Sequence, residues 1–367
     1  MNSRKITVLA FAAAVVIAVA LLLAHRQSST QADNTPDLLY PKLQAELNSV
    51  TAVSIFKPGD ERAVELTRQD GNWLVTERSG YPADTAKVHR LLRAIAAAKT
   101  IEQKTSNPAS YAAIGVEDVS DPKATGSRVE LAGTATPVNL IVGKSGAGAG
   151  SVFVRRAGEP ASWLIKETIE APATAEAWLR KEILNVAFDR VQSATVAVAG
   201  SKPYSVAKQA RDDTDFGVQG VPKGKELSSP AAASGIGSAL SGLTLANVHP
   251  AKEFEAQKPA SHTTLRTFDG LVADIDGWSK DDKHYVAIKT SYDEAQQQRF
   301  HVEPPAPQKQ DTAPTGEGVP PTPPPAPAVD AKEEAATTGS KLAGWVYEIP
   351  DYKYEAIFKP MDELLKK

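Results

Sequence analysis

Residues 142–145 read Val-Gly-Lys-Ser, the residue types that end a phosphate-binding loop. Such a loop has the pattern GxxxxGK[ST], in which the first glycine lets the backbone curl around a phosphate. In this chain that first position is Val138. The glycines that follow, Gly146, Gly148 and Gly150, lie between two strand-like segments, whereas a phosphate loop joins a strand to a helix. The spacing therefore favours a flexible hairpin loop over a nucleotide site.

Residues 274–282 contain four aspartates and one glycine, which superficially resembles a calcium loop. An EF-hand loop places glycine at its sixth position and a bidentate glutamate at its twelfth. Counted from Asp274, the glycine is fourth and the twelfth residue is Tyr285. We predict a solvated hairpin turn here, with a weak cation site as the alternative.

Other side chains capable of catalysis or metal binding are scattered along the chain. Neither HxH nor HExxH spacing occurs among the histidines, which are His25, His89, His249, His262, His284 and His301. Cysteine is absent, which excludes thiol catalysis, cysteine-bound metals and disulfides. No GxSxG elbow occurs, and acidic pairs such as Asp212-Asp213 lie in turns. We therefore assign no catalytic, cofactor-binding or metal-binding residue, and keep a glycosidase-type carboxylate pair as a minor alternative.

The composition is that of an ordinary globular protein and argues against nucleic acid as a partner. The chain is 42% hydrophobic and 23% charged, and its 367 residues are enough for two domains with separate cores. Its formal net charge is −3, and no tract rich in lysine and arginine supplies a local basic field. Trp73, Trp163 and Trp345 each lie in an alternating strand pattern, so we predict core positions for them, with a ligand platform as the alternative.

Residues 6–24 form an uncharged apolar run of 19 residues, preceded by Arg4 and Lys5. At ~1.5 Å per residue, a helix of this length spans roughly 28 Å, close to the thickness of the bilayer hydrocarbon. We predict a signal anchor over residues 1–26; a cleaved signal peptide is the alternative, although no convincing small-x-small site follows the run. The basic residues favour a cytoplasmic N-terminus. We therefore predict a single-pass protein of the bacterial inner membrane, with a stalk over residues 27–49 and a periplasmic ectodomain.

The strand pattern repeats within the chain. The Val-x-Ile pattern of residues 53–55 recurs as Val-x-Val at residues 196–198, a spacing of 143 residues. Residues 161–166, Ala-Ser-Trp-Leu-Ile-Lys, recur as Ala-Gly-Trp-Val-Tyr-Glu at residues 343–348. A repeat of this length is the size of a domain, unlike the short stacked units of a solenoid. The two predicted copies of one module occupy residues 50–188 and 189–367.

In the first module, period-two alternation predicts strands at residues 53–55, 64–66, 73–75, 129–131, 138–142, 152–154 and 163–165. Asp70-Gly71 predicts a hairpin turn, because both residue types tolerate positive φ. A helix is predicted after the N-cap Asp84, since apolar residues follow at helical spacing: Val88, Leu91, Leu92, Ile95 and Ala98. A short helix is expected over residues 38–47, and a helix or helical turn over residues 178–184.

In the second module, strands are predicted at residues 195–198, 204–207, 216–218, 265–268, 272–275 and 285–288, with 300–302 extending the last hairpin. Its helix, which contains Ile236, Leu240 and Leu243, is expected to be loose because each of its glycines costs ~1 kcal/mol relative to alanine. The module is interrupted by a Pro-rich insertion at residues 304–338, predicted to be disordered or extended, with a docking ligand as the alternative. The predicted fold class is α+β: an N-terminal transmembrane helix, then two duplicated, mostly antiparallel β-rich modules, each with a packed helix.

Several motifs, taken as a set, resemble one bacterial family. The motifs are Asp70-Gly-Asn-Trp73-Leu-Val, Tyr81-Pro82-Ala-Asp84, Leu91-Leu92, Tyr111 with Ile114-Gly115-Val116, Val142-Gly143-Lys144, Val152-Phe-Val-Arg155 and Trp163-Leu-Ile. The set is similar to domain-of-unknown-function family 4340 (DUF4340) over roughly residues 50–184, and the second half resembles it more faintly. The resemblance implies an envelope protein, often encoded beside an ABC transporter of the gliding-motility Gld type, without established catalytic residues.

These observations lead to hypotheses of different classes. The first is a non-enzymatic, membrane-anchored accessory subunit of an ABC-transporter-like envelope complex. Its partners would be the permease and ATPase subunits, and residues 6–24 would lie in the membrane. Small residues in this run permit close helix approach: Ala10, Ala12, Ala13, Ala14 and Ala18. The alternative is a protein that binds a glycan or peptide in the cleft between the two modules. A hydrolase is the third possibility.

Overall fold

The computed structural model describes residues 37–300 and 330–367, which fold into two compact units. Unit 1 holds residues 37–73 and 85–174 of this part, and unit 2 holds residues 74–84 and those from 175 onward. The architecture is mixed α+β with few helices and antiparallel sheets, as predicted at that level. Within the described ranges no helix is long and apolar enough to cross a membrane, and the predicted span at residues 6–24 lies outside them.

The first nine strands are β1 Ala52–Lys57, β2 Glu61–Gln69, β3 Asn72–Val75, β4 Tyr81–Pro82, β5 Thr100–Thr105, β6 Ser127–Ala132, β7 Val138–Ser145, β8 Val152–Arg156 and β9 Ser162–Ile165. Eight of them are ordered β3-β2-β1-β6-β7-β8-β9-β5, and β4 pairs with β3. Alternate residues of β1 and β2 are buried, as the period-two pattern predicts. The turn at Asp70-Gly71 has positive φ at both residues, 48° and 81°, which confirms the predicted hairpin.

Unit 1 has three helices in its described residues: α1 Leu43–Glu46, α2 Thr85–Ala97 and α3 Tyr111–Ile114. Helix α2 buries the apolar stripe predicted for it, including Leu91 and Ile95, and Ala98 is buried just beyond its end. The helix predicted over residues 38–47 is shorter than expected. It comprises α1 and a 3₁₀ turn at Leu47–Ser49, because residues 37–39 instead bond to backbone at the end of α2.

Unit 2 contains ten further strands: β10 Glu182–Leu184, β11 Val191–Val198, β12 Tyr204–Ala207, β13 Gly217–Gln219, β14 Leu243–Thr244, β15 Asn247–Pro250, β16 Ser261–Thr267, β17 Leu271–Lys280, β18 Lys283–Tyr292 and β19 Trp345–Ile349. Its described helices are α4 Ser234–Gly237, α5 Glu294–Phe300, α6 Ala331–Leu342 and α7 Asp351–Ile357. The main sheet is ordered β13-β12-β11-β16-β17-β18-β19-β15, and β10 pairs with β14 separately.

The two main sheets share one topology. In each, the first strand lies between its hairpin partner and the strand that begins the later meander. In each, the strand that follows the helical segment, β5 or β15, pairs antiparallel with the last strand, β9 or β19. The order β3-β2-β1-β6-β7-β8-β9-β5 thus corresponds strand for strand to β13-β12-β11-β16-β17-β18-β19-β15.

Two elements predicted from local pattern are wrong. The helix expected over residues 178–184 is a 3₁₀ turn at Ala175–Trp178 followed by β10, because Glu182 pairs with Thr244 of β14. Phe300, expected in a strand, ends α5. That helix forms because Asp293 accepts a hydrogen bond from the Gln296 backbone N–H at its first turn. The remaining residues of that predicted strand, 301–302, lie outside the described part.

The Pro-rich insertion ends earlier than predicted. Residues 331–338, expected to be disordered, belong to α6. The Asp330 side chain caps this helix by accepting hydrogen bonds from the backbone N–H groups of Lys332 and Glu333. Residues 304–329 lie outside the described part, so their predicted state stays a prediction.

The loose helix predicted around Ile236 is reduced to a 3₁₀ turn at Pro230–Ala233 followed by one turn of α4. Gly242 has φ of +57°, and Leu243 already belongs to a strand, so the helix cannot continue. At Gly237, an added Cβ would lie 2.3 Å from the ring of Phe216. Glycine at position 237 therefore allows the Phe216 ring to pack closely on this segment, although glycine also disfavours a longer helix.

Candidate functional site

Residues 142–145 are the last four residues of β7, and the glycines that follow form the hairpin loop to β8, as their spacing predicts. Lys144 extends its Nζ to the backbone oxygens of Ala112 and Ala113, at 3.0 and 3.2 Å. These carbonyls belong to α3, where a cation compensates unpaired C=O groups. The lysine that suggested phosphate binding therefore stabilises a helix.

The backbone after α3 is held between two glycines. Gly115 ends the helix with φ of +73°, a conformation that glycine adopts without strain. A Cβ added to Gly126 would lie 2.4 Å from the Gly115 oxygen, and one added to Gly143 would lie 2.4 Å from the Ile114 oxygen. Both positions therefore need glycine so that this turn can approach the sheet.

A buried arginine fixes the other side of the same turn. Arg155, 5% exposed, donates from Nε to the Val116 oxygen at 2.8 Å and from Nη1 to the Glu159 oxygen at 3.0 Å. Its guanidinium lies 4.7 Å from the centroid of the Tyr111 ring. We call Tyr111, Gly115, Gly143, Lys144 and Arg155 the signature cluster.

The hydrogen bonds of the signature cluster go to backbone partners, and Arg155 Nη2 also lies 3.8 Å from the Asp118 carboxylate. The Tyr111 hydroxyl donates to the Pro160 oxygen at 2.6 Å, and both cations of the cluster bond to carbonyls. Such contacts anchor a loop; they do not poise a nucleophile or a general base toward a substrate. Three of the motifs behind the family resemblance, those at residues 111–116, 142–144 and 152–155, thus form one packing arrangement in unit 1.

In the aspartate-rich segment, the turn lies later than the motif suggests. Asp281 and Asp282 form it, with φ of 52° and 57°, while Asp274 lies within β17. His262 Nδ1 is 2.9 Å from Asp276 Oδ1, and its Nε2 is 3.8 Å from Asp274 Oδ1. Over residues 37–300 and 330–367, no group of three or more His, Asp or Glu side chains is arranged to hold a metal ion. His262, Asp274 and Asp276 form a polar cluster across the two strands β16 and β17.

One histidine lies beside a serine and an aspartate. Ser279 Oγ is 2.9 Å from His284 Nδ1, and His284 Nε2 is 3.9 Å from Asp351 Oδ1. The imidazole stacks on Tyr354 at 4.2 Å. The separation of 3.9 Å exceeds hydrogen-bond length and Asp351 is largely exposed, so the carboxylate does not fix a tautomer as a hydrolase triad requires.

The tryptophans divide between buried and partly buried positions. Trp73 is 2% exposed, as predicted, whereas Trp163 and Trp345 are only half-buried. Trp345 contacts Tyr81 edge to face at 5.1 Å within unit 2. Trp178 is fully buried although its local sequence lacks a strand pattern, so sequence reasoning missed it as a core residue.

A polar cavity of about 260 Å³ lies in unit 2. Tyr81 and Tyr347 form part of its wall, and burial raises the pKa of both phenols. Arg180 and Lys341 bring cations to it, and Glu182 brings a carboxylate. Sequence reasoning missed this cavity because residues 81, 182, 341 and 347 become neighbours only in the folded unit.

Next to this cavity, an ion-pair network holds α6. Arg190 bonds to both carboxylate oxygens of Glu334, at 3.1 and 2.6 Å, and from Nε to Asp269 Oδ2 at 2.9 Å. Burial opposes ionisation of Asp269, yet the Arg190 and Thr267 hydrogen bonds hold its pKa below the usual value. The network attaches the helix that follows the Pro-rich insertion to the start of β11.

One family model, described as "Domain of unknown function (DUF4340)", matches residues 73–265. This stretch is more than half of the 367-residue chain. The chain belongs to the DUF4340 family. No curated protein and no solved structure matches it.

The DUF4340 match has different limits from the sequence resemblance. It begins at Trp73, later than residue 50, and it extends past residue 184 to Leu265 in β16. It includes the whole signature cluster and also the strands β11 and β12 of unit 2. The family region is therefore not confined to one of the two sheets.

Proposed function

We propose that this DUF4340 protein is a non-enzymatic, membrane-anchored periplasmic accessory subunit of an ABC-transporter-like envelope complex. The signal anchor over residues 1–26 holds it in the inner membrane with its N-terminus in the cytoplasm. The two sheets form the ectodomain, and the permease and ATPase are its partners. Its role is to bind and position other components.

The observation that carries this proposal is the use of the signature cluster. Arg155 and Lys144 carry charged groups that an enzyme can use, yet both bond to backbone carbonyls of the loop around Gly115. Residues that fix a loop on a sheet suit a rigid binding scaffold.

We further propose that the two modules, residues 50–188 and 189–367, arose by duplication. The common strand order of the two sheets and the sequence echoes around Trp163 and Trp345 support this origin. Duplication of a β-rich module provides a second surface for binding other proteins and adds no catalytic group. Such a surface suits an accessory subunit.

Lateral packing of the anchor is the proposed contact with the permease. Ala10, Ala14 and Ala18 recur every four residues, a spacing that allows close approach of helices in a membrane. Replacing all three with leucine keeps the segment apolar but fills that face. A matched control, Val16→Leu with Val19→Leu, enlarges the opposite face.

The test is affinity purification of the full chain in a gentle detergent. We expect permease and ATPase subunits to co-purify with the wild-type chain and with the valine control, and to be lost with the Ala10→Leu/Ala14→Leu/Ala18→Leu variant. Recovery of neither subunit with the wild type contradicts the proposed partnership. Equal recovery with all three chains assigns the contact to the ectodomain.

The cavity in unit 2 supports a second candidate function, binding of a small polar ligand. Arg180, Lys341 and Glu182 present both charges around two phenols, which suits a zwitterionic fragment such as a short peptide. A thermal-shift screen with dipeptides and cell-wall fragments tests it, with Lys341→Met as the variant and Lys332→Met, on the same helix, as the control. Flat responses from the wild-type chain eliminate this candidate.

A further inference from the structure

We propose that the outer face of α2 docks on the anionic phospholipid surface of the membrane that anchors the chain. This inference rests on the proposed signal anchor and adds a second, reversible membrane contact. The docking surface, which we call the basic face, consists of Arg90, Arg93, Lys99 and Lys166. All four residues are exposed, and no ion pair involves them within residues 37–300 and 330–367.

The composition of α2 gives this face its charge. The helix carries Lys87, Arg90 and Arg93 at intervals of three residues and contains no acidic residue. Residues three apart lie on neighbouring positions of one helix face, so the cations share the side opposite the buried residues Val88 and Leu92. A solvent-facing stripe of one sign creates a field that attracts an anionic surface.

The backbone places two further cations at the end of this helix. Lys99 lies two residues beyond the end of α2, and its carbonyl oxygen accepts a hydrogen bond of 3.0 Å from the Lys166 backbone N–H. Residues 166 and 99 are therefore adjacent across the sheet edge. The cationic surface thus continues from α2 onto the strand ends beside it.

The first described residues of the chain, which follow the N-terminal segment, pair with backbone just beyond the end of α2. The Leu39 N–H donates to the Ala98 oxygen at 2.7 Å, and the Thr100 N–H donates to the Asp37 oxygen at 2.9 Å. Leu38 forms a bridge with Lys99. The first described residues are therefore fixed to the backbone just beyond α2, beside Lys99 of the basic face.

The length of chain before Asp37 keeps this face near the membrane. Between the end of the predicted span at residue 24 and Asp37, a fully extended chain covers at most roughly 45 Å. Helix α2, with its 13 residues, is only ~20 Å long. An anchored chain thus holds every cation of the basic face within reach of the lipid headgroups.

A shallow groove of about 390 Å³ runs along the same face and indicates how it would lie on lipid. Leu91, Ala94 and Ala97 supply apolar lining, while Glu167 and Glu170 place carboxylates on the opposite wall. These two carboxylates reduce the net attraction, so docking depends on the tether, which raises the effective lipid concentration. We therefore expect reversible docking that salt weakens.

The absence of cysteine from the chain allows a direct test. Ala97, exposed at the end of α2, is replaced with cysteine in the full chain and labelled with a fluorophore. The protein is reconstituted into phosphatidylcholine nanodiscs with or without phosphatidylglycerol, each containing a headgroup-attached quencher. We expect stronger quenching with phosphatidylglycerol, and reversal of this increase at high salt.

The variant Arg90→Gln/Arg93→Gln removes two cations, each worth about a fivefold change in the docking equilibrium near an anionic surface. We expect it to lose the phosphatidylglycerol-dependent quenching. The matched control Lys57→Gln/Arg62→Gln removes the same charge from residues already paired with Glu61 and Glu65. This control should behave as the wild type.

The outcomes separate this inference from the proposed function. A chain that does not enter nanodiscs at all contradicts the signal anchor. A chain that enters them but shows equal quenching in both lipid mixtures overturns only the docking. Quenching that changes solely when a transporter subunit is added also overturns it, and assigns the basic face to an acidic protein surface.

Discussion

The two sheets share a strand order but differ in the helix that follows the first three strands. In unit 1 this helix is α2, 13 residues long with five buried side chains. In unit 2 the same position holds a 3₁₀ turn and the four residues of α4. Sheet topology thus survives a large change in helix length, because the strands carry the long-range pairing and the helix only covers them.

The sheets also differ in the connection to their last strand. In unit 1, β8 and β9 are joined by a short turn at Gly158, with φ of +83°. In unit 2, the chain between β18 and β19 forms α5 and α6 on either side of residues 301–329. Arg190 holds α6 through Glu334. An insertion into a hairpin is compatible with the sheet when a specific contact fixes its returning end.

The largest expected effect contrasts two glycines on corresponding strands, β7 and β17. Gly143→Ala would place a Cβ 2.4 Å from the Ile114 backbone oxygen, whereas Gly277→Ala would meet the Phe358 ring at 2.5 Å. A backbone clash relaxes less easily than a side chain. We expect losses of about 3 kcal/mol or more for Gly143→Ala and about 1–3 kcal/mol for Gly277→Ala.

Urea unfolding of both variants measures this contrast. The control is Gly148→Ala, whose nearest neighbour would be 3.7 Å away, and it should change the free energy of unfolding by less than about 0.5 kcal/mol. If Gly143→Ala is as stable as this control, the tight loop contact in unit 1 is not required.

The second-largest expected effect concerns the contact between Arg190 and Glu334, which holds the helix after the insertion. Glu334→Gln removes a charge from a largely buried pair and leaves Arg190 only partly neutralised. We expect a loss of about 2 kcal/mol, below the full cost of breaking a buried pair because Asp269 remains. Glu333→Gln, on the exposed side of α6, is the control. Hydrogen exchange should show faster opening of α6 in Glu334→Gln alone; equal protection in both variants would argue against the anchoring role.

Acid should weaken the same network in a defined window. Because the folded-state pKa of Asp269 lies below the value of an unperturbed aspartate, its contribution to stability is complete above that unperturbed value. The contribution is then lost as the pH falls through the folded-state pKa. The stability difference between wild type and Asp269→Asn should therefore be constant near neutral pH and shrink in acid. A stability difference that grows on acidification would mean that folding raises the pKa of Asp269, which contradicts this assignment.

The smallest effect concerns the cation that caps α3. Lys144→Met removes the hydrogen bonds to Ala112 and Ala113 but keeps the aliphatic stem. Since the side chain is exposed, we expect a loss of only about 0.5–1 kcal/mol by chemical denaturation. Lys123→Met, another exposed lysine of unit 1, should have no measurable effect. If the two variants have equal free energies of unfolding, the Lys144 hydrogen bonds do not stabilise α3.

Features set by neighbouring residues were predictable from the sequence. The Asp70-Gly71 turn, the buried stripe of α2 and the alternation in β1 depend on local conformation and period. The pairing of β10 with β14, the burial of Trp178 and the Arg190–Glu334 contact depend on residues distant in sequence. Local pattern carries no information on those partners, which is why it predicts a helix from Trp178 onward and a disordered or extended insertion over residues 331–338 of α6.

The claim on which the account rests is that both units lie outside the cytoplasm. Single cysteines at Ser3 and at Ser201, a partly exposed residue that follows the turn at Gly200, can each be introduced into the full cysteine-free chain and treated with a membrane-impermeant maleimide in intact spheroplasts. The account predicts that the Ser201→Cys variant is labelled directly, while Ser3→Cys is labelled only after lysis. Labelling of Ser201→Cys only after lysis would contradict it.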